Sequence, residues 1–249
     1  MIGIRTIAAG VFAVVVLAGA AGLAQSQTPS GYLAVEALPD SLVILGPPPA
    51  SDSAEAAAER ANFLATRALA GTPRWTQAAV DNELFGDKAH IALSCAAGVA
   101  ITVKDTPTLS RMLDRLVFDA GRSVSAAKNH FMRERPLIAH PDAPVCLPRE
   151  DWMKTNGSYP SGHAAVGWAW GLVMTELLPA KATPLAARGR AFGESRVVCG
   201  LHFPSDVAAG QLMASATVAK LHSEPEFLKD LAAAKAELAQ APPATGCPA

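Results

Sequence analysis

From residue 51 onward the chain reads as blocks of small apolar residues at helical spacing, cut by Pro and Gly. Residues 25–50 pass from polar to Pro-rich and end in Pro47-Pro48-Pro49. That stretch is predicted to be extended or looped, because Pro cannot sustain a helix interior. Asp52-x-x-Glu55 has the spacing of a capping box. It opens an Ala-rich helix that stops near Gly71-Thr72-Pro73. A second helix is predicted from Pro73 to about Leu84, and a third from about Lys88 to Val103. The third is apolar nearly all round, which predicts a central core helix. Thr106-Pro107 is a cap followed by Pro at the first helical position. The helical pattern from there runs to about Ala120, resumes to Glu134 and ends at Arg135-Pro136, since the residue before Pro is pushed out of helical dihedrals. Residues 136–159 are Pro-rich with little periodicity and predict a long loop. Helices follow over Pro160-Ser161 to Leu178, Thr183-Pro184 to near Cys199-Gly200, Pro204 to about His222, and Glu224 to Leu238. No strand and no internal repeat emerges. The expectation is an all-α, single-domain helical bundle over residues 51–240, preceded by the Pro-rich segment 25–50 and followed by a Pro-rich tail, 241–249.

The N-terminus belongs to a different pattern. Arg5 gives a short positive start, Ala8 to Ala21 is small and apolar, and Gly22-Leu23-Ala24 offers a small-residue cleavage site. Residues 1–24 are therefore expected to be a secretory signal peptide cleaved near Ala24. An uncleaved anchor helix is the alternative, but the apolar run is short for a membrane span. After the leader the longest apolar run is Ala164 to Leu178, interrupted by Thr175 and Glu176, so no stable membrane insertion is expected. Formal net charge is −1. That leaves no basic excess to neutralise a nucleic-acid backbone, so no nucleic-acid polymer is expected as a partner.

An exported chain with four cysteines, Cys95, Cys146, Cys199 and Cys247, is a disulfide candidate. Three pairings are open. Matching apolar helical segments with each other, and Pro-rich segments with each other, favours Cys95–Cys199 and Cys146–Cys247. Buried free thiols are the alternative.

Three segments carry candidate chemistry. In Lys128-Asn129-His130-Phe131-Met132-Arg133-Glu134-Arg135-Pro136 the two outer cations lie seven residues apart, two turns, and so share one face of the predicted helix. A solvated basic helix end would look the same. In Gly157-Ser158-Tyr159-Pro160-Ser161-Gly162-His163 a loop enters a helix. Free N–H groups at a helix start bind anions, Gly162 permits close approach, Ser161 adds a hydroxyl and His163 a titratable ring. A plain helix cap with an incidental His is the bland reading. In Ser195 to Asp206, Gly200 ends one helix and Pro204 begins the next, so His202 sits in the turn. Asp206, four residues on, is able to reach its ring and leave the other nitrogen free to attack. Arg196 is a planar cation suited to phosphate. Here the bland reading is a core His with a capping Asp.

In order, K-x6-RP, PSGH and SR-x5-H-x3-D resemble the signature of the type 2 phosphatidic acid phosphatase superfamily, which includes bacterial class A non-specific acid phosphatases, lipid phosphatases and vanadium haloperoxidases. The match covers Lys128 to Asp206. The GSYPSGH run, the size and the leader look most like the class A acid phosphatases. Ala164 departs from that branch, where Thr often follows the His. The resemblance implies the acid phosphatase and vanadium haloperoxidase fold, a phosphate cradle of Lys128, Arg135, Ser161, Gly162 and Arg196, and no metal or other cofactor. It implies His202 as nucleophile forming phosphohistidine, Asp206 orienting it, and His163 as acid and then base. The substrates implied are small phosphate monoesters, with phosphotransfer to alcohols as a side activity, in a periplasmic enzyme. A homo-oligomer is compatible with it. A haloperoxidase, a membrane-surface lipid phosphatase and a non-catalytic phosphate-binding protein are the rival readings. His90, His130, His140 and His222 fall outside the signature and are expected to be structural or at the surface. Tyr159 and Trp152 are expected either to line the substrate mouth or to anchor the loop.

Overall fold

A computed structural model describes residues 30–247; the expected leader, residues 1–24, lies outside the described residues. The lead-in contains a 3-10 turn (Val35–Ala37) and one short helix, α1 (Ser41–Ile44), and is otherwise irregular. Asp119 holds it down by accepting from Tyr32 N (2.8 Å) and Leu33 N (3.0 Å). The next helix, α2 (Ala54–Thr66), is capped by Ser53, whose Oγ accepts from Ala56 N, so Asp52 is not the cap that the spacing suggested. Thr72 caps α3 (Pro73–Val80) as Pro at the first position requires.

The central helix is not the expected one. α4 (Gly86–Ala97) stops at Gly98, which takes φ +79°, and it buries only one face, with Ile91 turned outward. After α5 (Pro107–Ser123), α6 (Ser125–Phe131) and the single turns α7 (Pro136–Ala139) and α8 (Trp152–Thr155) comes α9 (Gly162–Leu177), which is buried along nearly its whole length. α10 (Ala182–Val198), α11 (Pro204–Leu221) and α5 surround it, and α12 (Pro225–Leu238) covers α5. The nearly all-round apolar pattern misled for α4, because Asp87, Lys88 and Ile91 lie exposed along one side of it. α9 is central because its glycines let neighbours approach. A Cβ on Gly189 of α10 would lie 2.8 Å from the Gly167 carbonyl oxygen and 2.9 Å from Gly171 Cα, while Phe192 fills the space beside Gly167. Trp170 then anchors α9 to α5 through Nε1, which donates to Leu113 O at 2.9 Å.

No strand forms among the described residues; the tail makes one bridging pair, Val99 with Pro243. The molecule is all-α, as the sequence predicts. The Pro-rich loop 136–159 is irregular apart from α7 and α8 and is tied together from within. Arg149 donates to the carbonyls of Leu137, His140 and Ala143. A small second core of Ala78, Leu137, Met153, Val198, Cys199 and Leu201 fastens it to the end of α10.

The cysteines pair as Cys95–Cys247 and Cys146–Cys199, with Cα–Cα separations of 5.5 and 4.8 Å, so the expected Cys95–Cys199 and Cys146–Cys247 are wrong. Segment character does not decide pairing; proximity does. The tail runs back along the end of α4, and the Pro-rich loop lies on the end of α10, with Cys146 N donating to Cys199 O.

Gly189→Ala tests the central packing. Its new methyl group meets backbone atoms that cannot rotate away, so it should cost about 2–3 kcal/mol in urea unfolding, with an unchanged slope on denaturant.

Candidate active site

The three motif segments meet at one end of α9. The expected helix through Lys128 and Arg135 does not form. α6 ends at Phe131, Met132 takes the left-handed conformation at φ 42°, and residues 132–135 are not helical. The two cations converge all the same, because both donate to the Gly157 carbonyl, Lys128 Nζ at 2.7 Å and Arg135 Nη2 at 3.4 Å. Gly157 has to be glycine here, since a Cβ would sit 2.9 Å from the Lys128 carbonyl oxygen and 3.1 Å from Met132 Cα. The left-handed, non-glycine Met132 is a local strain that turns the chain back toward the cradle.

Arg135 is buried and fully occupied. Nε donates to Asn156 O (3.0 Å), Nη2 to Asn156 Oδ1 (3.1 Å), and Nη1 to Leu201 O (3.2 Å), with His202 Nε2 2.9 Å from Nη1. A guanidinium has only donors, so His202 Nε2 accepts and carries no proton. The ring is thus the neutral tautomer protonated on Nδ1, which lies 3.4 Å from Asp206 Oδ2. That distance exceeds an ordinary N–H···O bond, and such contacts are often long until substrate is in place. Burial, and then the cations Arg135, Lys128 and Arg196, hold His202 well below the usual histidine range.

Ser161 caps α9: Oγ accepts from Ala164 N at 3.3 Å, which leaves its O–H free to donate. Gly162 opens the helix, and first-turn N–H groups have no intrahelical partner. A Cβ there would make only ordinary contacts with Val124 and Gly121, so protein packing does not demand the glycine. Ala164 is packed against the glycines of both neighbouring helices, 3.1 Å from a Cβ built on Gly193 and 3.2 Å from one on Gly210.

The residue that sequence reasoning missed is Asn82, just beyond α3. Its Oδ1 accepts from Arg196 Nη1 (3.2 Å), and its carbonyl lies 3.2 Å from His163 Nε2. A carbonyl only accepts, so the His163 proton is on Nε2. No motif marks Asn82; only the fold brings it here. Burial, and next the Arg196 charge, push His163 well below its usual range. Burial lowers Arg196 to about 9, Arg135 to about 10 and Lys128 to about 7, with cation repulsion adding to the first and last.

Tyr159 is a loop anchor, buried with its hydroxyl on Gly46 O at 2.9 Å. Trp152 is 42% exposed, with its ring 5.1 Å from the Arg135 guanidinium, so it stands beside the site. The other histidines take no part. His90 is buried beside Trp170, His140 stacks on Phe63, His130 lies edge-on to Phe131 and His222 pairs with Glu176.

A helical bundle that gathers three cations and two neutral histidines at one buried point is built to take an anion. The family profile described as the PAP2 superfamily matches residues 111–223, from within α5 to just past α11. A non-specific acid phosphatase of Providencia stuartii is 42% identical over 202 residues, covering 81% of this chain and 82% of the relative. A Zymomonas mobilis acid phosphatase is 37% identical over 203 residues, 81% of this chain and 76% of the relative. A non-specific acid phosphatase of Salmonella typhimurium is 37% identical over 215 residues, 86% of each chain. The chain belongs to the PAP2 superfamily, and within it to the bacterial class A acid phosphatases.

The Lys128 shift gives a test with sulfate, an anion whose charge stays constant across the range. Above pH 7 free Lys128 loses its proton, so affinity should fall with rising pH, by roughly tenfold per unit for one linked proton. In Lys128→Arg the cation persists and the affinity should stay flat to about pH 9. Calorimetric titrations at pH 6, 7 and 8.5 check this.

Proposed function

We propose that the chain hydrolyses small phosphate monoesters through a covalent phosphohistidine on His202, without a metal ion. Its family makes it a phosphatase; the contact that carries the finer reading is Arg135 Nη1 to His202 Nε2, which leaves the attacking nitrogen unprotonated. Arg135, Arg196 and Lys128 hold the phosphoryl oxygens and supply the charge that a metal ion supplies in other phosphatases. The Ser161 hydroxyl and Gly162 N–H complete the cradle. When the phosphoryl group arrives, Arg135 turns its N–H from Nε2 to a phosphoryl oxygen and frees the lone pair.

His202 Nε2 then attacks phosphorus. The P–N bond forms as the P–O bond to the leaving group breaks. Asp206 stays ionised, accepts from the Nδ1–H, which remains on the ring, and stabilises the positive charge that develops there. The bound phosphoryl raises His163 from its depressed state, and protonated His163 donates to the leaving oxygen. Neutral again, it takes a proton from the water that attacks phosphorus and breaks P–N. An alcohol in place of that water gives phosphotransfer. Phosphate monoesters, not nucleic-acid polymers, are the partners. The two disulfides and the expected leader support an exported, periplasmic enzyme.

The test is p-nitrophenyl phosphate hydrolysis from pH 4 to 9 with EDTA present. Activity should resist EDTA, follow a bell with an acidic optimum, and vanish in His202→Ala. His163→Ala should lose about 10²–10⁴-fold in kcat on alkyl phosphates, whereas its first-turnover burst of p-nitrophenolate from p-nitrophenyl phosphate should fall far less, since that leaving group needs no proton. Full activity in His202→Ala would remove the nucleophile assignment.

A further inference from the structure

Behind His202, Asp206 is tied into a buried charge network whose other charged members, Arg133 and Glu59, the hydrolytic steps leave unused. Asp206 Oδ1 accepts from Arg133 Nη1 at 2.7 Å, and the same nitrogen donates to Ser205 Oγ at 2.8 Å. Arg133 Nη2 donates to Glu59 Oε2 at 2.6 Å, and Glu59 Oε1 accepts from Ser205 N at 2.8 Å. Glu59 is 5% exposed and Asp206 is fully buried. The Arg133 guanidinium also lies 4.2 Å from the centre of the Phe203 ring. Arg133 follows strained Met132, and Glu59 comes from α2, well away in sequence from every motif residue.

We propose that Arg133, fixed by Glu59, is the positioning residue that keeps Asp206 an ionised acceptor and thereby holds the His202 proton on Nδ1. The inference rests on reading His202 as the nucleophile. Each Asp206 oxygen has a defined task. Oδ1 is taken by Arg133. Oδ2 accepts from Phe203 N at 2.8 Å and faces His202 Nδ1. Both terminal nitrogens of Arg133 are committed to this network, so Lys128, Arg135 and Arg196 are left to meet the phosphoryl group.

The charged and titratable groups around Asp206 are Arg133, His202, Lys128, Arg135 and Tyr159. Of the cations, Arg133 is in direct contact; Lys128 and Arg135 are bonded to loop carbonyls. Burial pushes Asp206 upward, and Arg133 is the first influence opposing it. Without that guanidinium the carboxyl takes up a proton more readily and can present an O–H to Nδ1. The ring proton then moves to Nε2, where it blocks attack.

The opposite charges of Arg133 and Glu59 give opposite signs in one experiment. The pH profiles of kcat and kcat/KM are measured for the full-length enzyme and for Arg133→Gln, Arg133→Lys, Glu59→Gln and His202→Ala. In Arg133→Gln, kcat should fall on the order of 10–100-fold with KM nearly unchanged, and the acid limb should move up by about one pH unit. Arg133→Lys keeps the charge and should hold the limb near its parental position even where kcat drops. Glu59→Gln removes a negative charge, so its limb should stay or move down. If Arg133→Gln fails to fold, Arg133→Lys and Glu59→Gln keep the test: an acid limb that moves up in either variant would overturn the inference. In Arg133→Gln, a kcat loss with an unmoved limb, or a loss confined to KM, would overturn the inference and leave Arg133 as scaffold or phosphate ligand. Should His202→Ala stay active, the nucleophile reading fails first. Should it be dead while Arg133→Gln behaves as the parent, only this inference falls.

Discussion

Lys128, Arg135 and Arg196 repel one another in a volume that largely excludes water, and each is pulled below its ordinary pKa by that burial. Holding three such cations together without a bound anion requires acceptors that do not cancel their charge. The chain provides neutral ones: the carbonyls of Gly157, Asn156 and Leu201, and the side-chain amides of Asn156 and Asn82. Of the buried carboxylates nearby, Asp206 and Glu59 are joined to a fourth cation, Arg133, and Asp81 is paired with Arg188, so the cradle keeps its positive excess. An arriving phosphoryl group finds its counter-charge already oriented and largely desolvated, which is the condition for electrostatic stabilisation without reorganisation.

Backbone carbonyls can serve in this way only if backbone comes close, and that requirement reaches into the rest of the fold. Gly157 lets the loop touch the end of α6. Gly210 lets α11 approach Ser161, where a Cβ would stand 2.3 Å from the carbonyl oxygen. Gly167, Gly171 and Gly189 bring α10 against α9, and α10 carries Arg196 and leads into His202. The close helix packing and the close anion cradle are one arrangement. A methyl group inserted in the helix seam would be felt at the cations.

Much of this was legible in the sequence, for physical reasons that differ by element. Pro and Gly act locally, so the starts of α3, α5 and α11 and the turn at Gly200 could be read directly, whereas α4 stops at Gly98 where the pattern suggested a helix to Val103. The all-α class followed from composition and period. Lys128, Arg135, Ser161, His163, Arg196, His202 and Asp206 stood out by spacing, and the fold gathers them at one end of α9. What spacing cannot carry is distance through space. Cys95 meets Cys247 because the tail doubles back. Asn82 and Glu59 reach the site from helices that hold no motif. The segment from Lys128 to Arg135 looked like two helical turns, yet the chain breaks at Met132, because carbonyls 29 residues away along the sequence outweigh local helix preference. The nearly all-round apolar pattern likewise made α4 look central when it buries one face.

The bond between Cys95 and Cys247 closes a covalent circle around everything from α5 to α12, with every motif residue inside it. Cys146–Cys199 is a chord across that circle, ending three residues before His202. A protease that cuts the exposed loop near Asp142 or Asp151 therefore opens the circle without dividing it. The halves stay tethered, the cradle keeps both of its sides, and nicked protein remains one molecule until a reductant reaches the sulfurs.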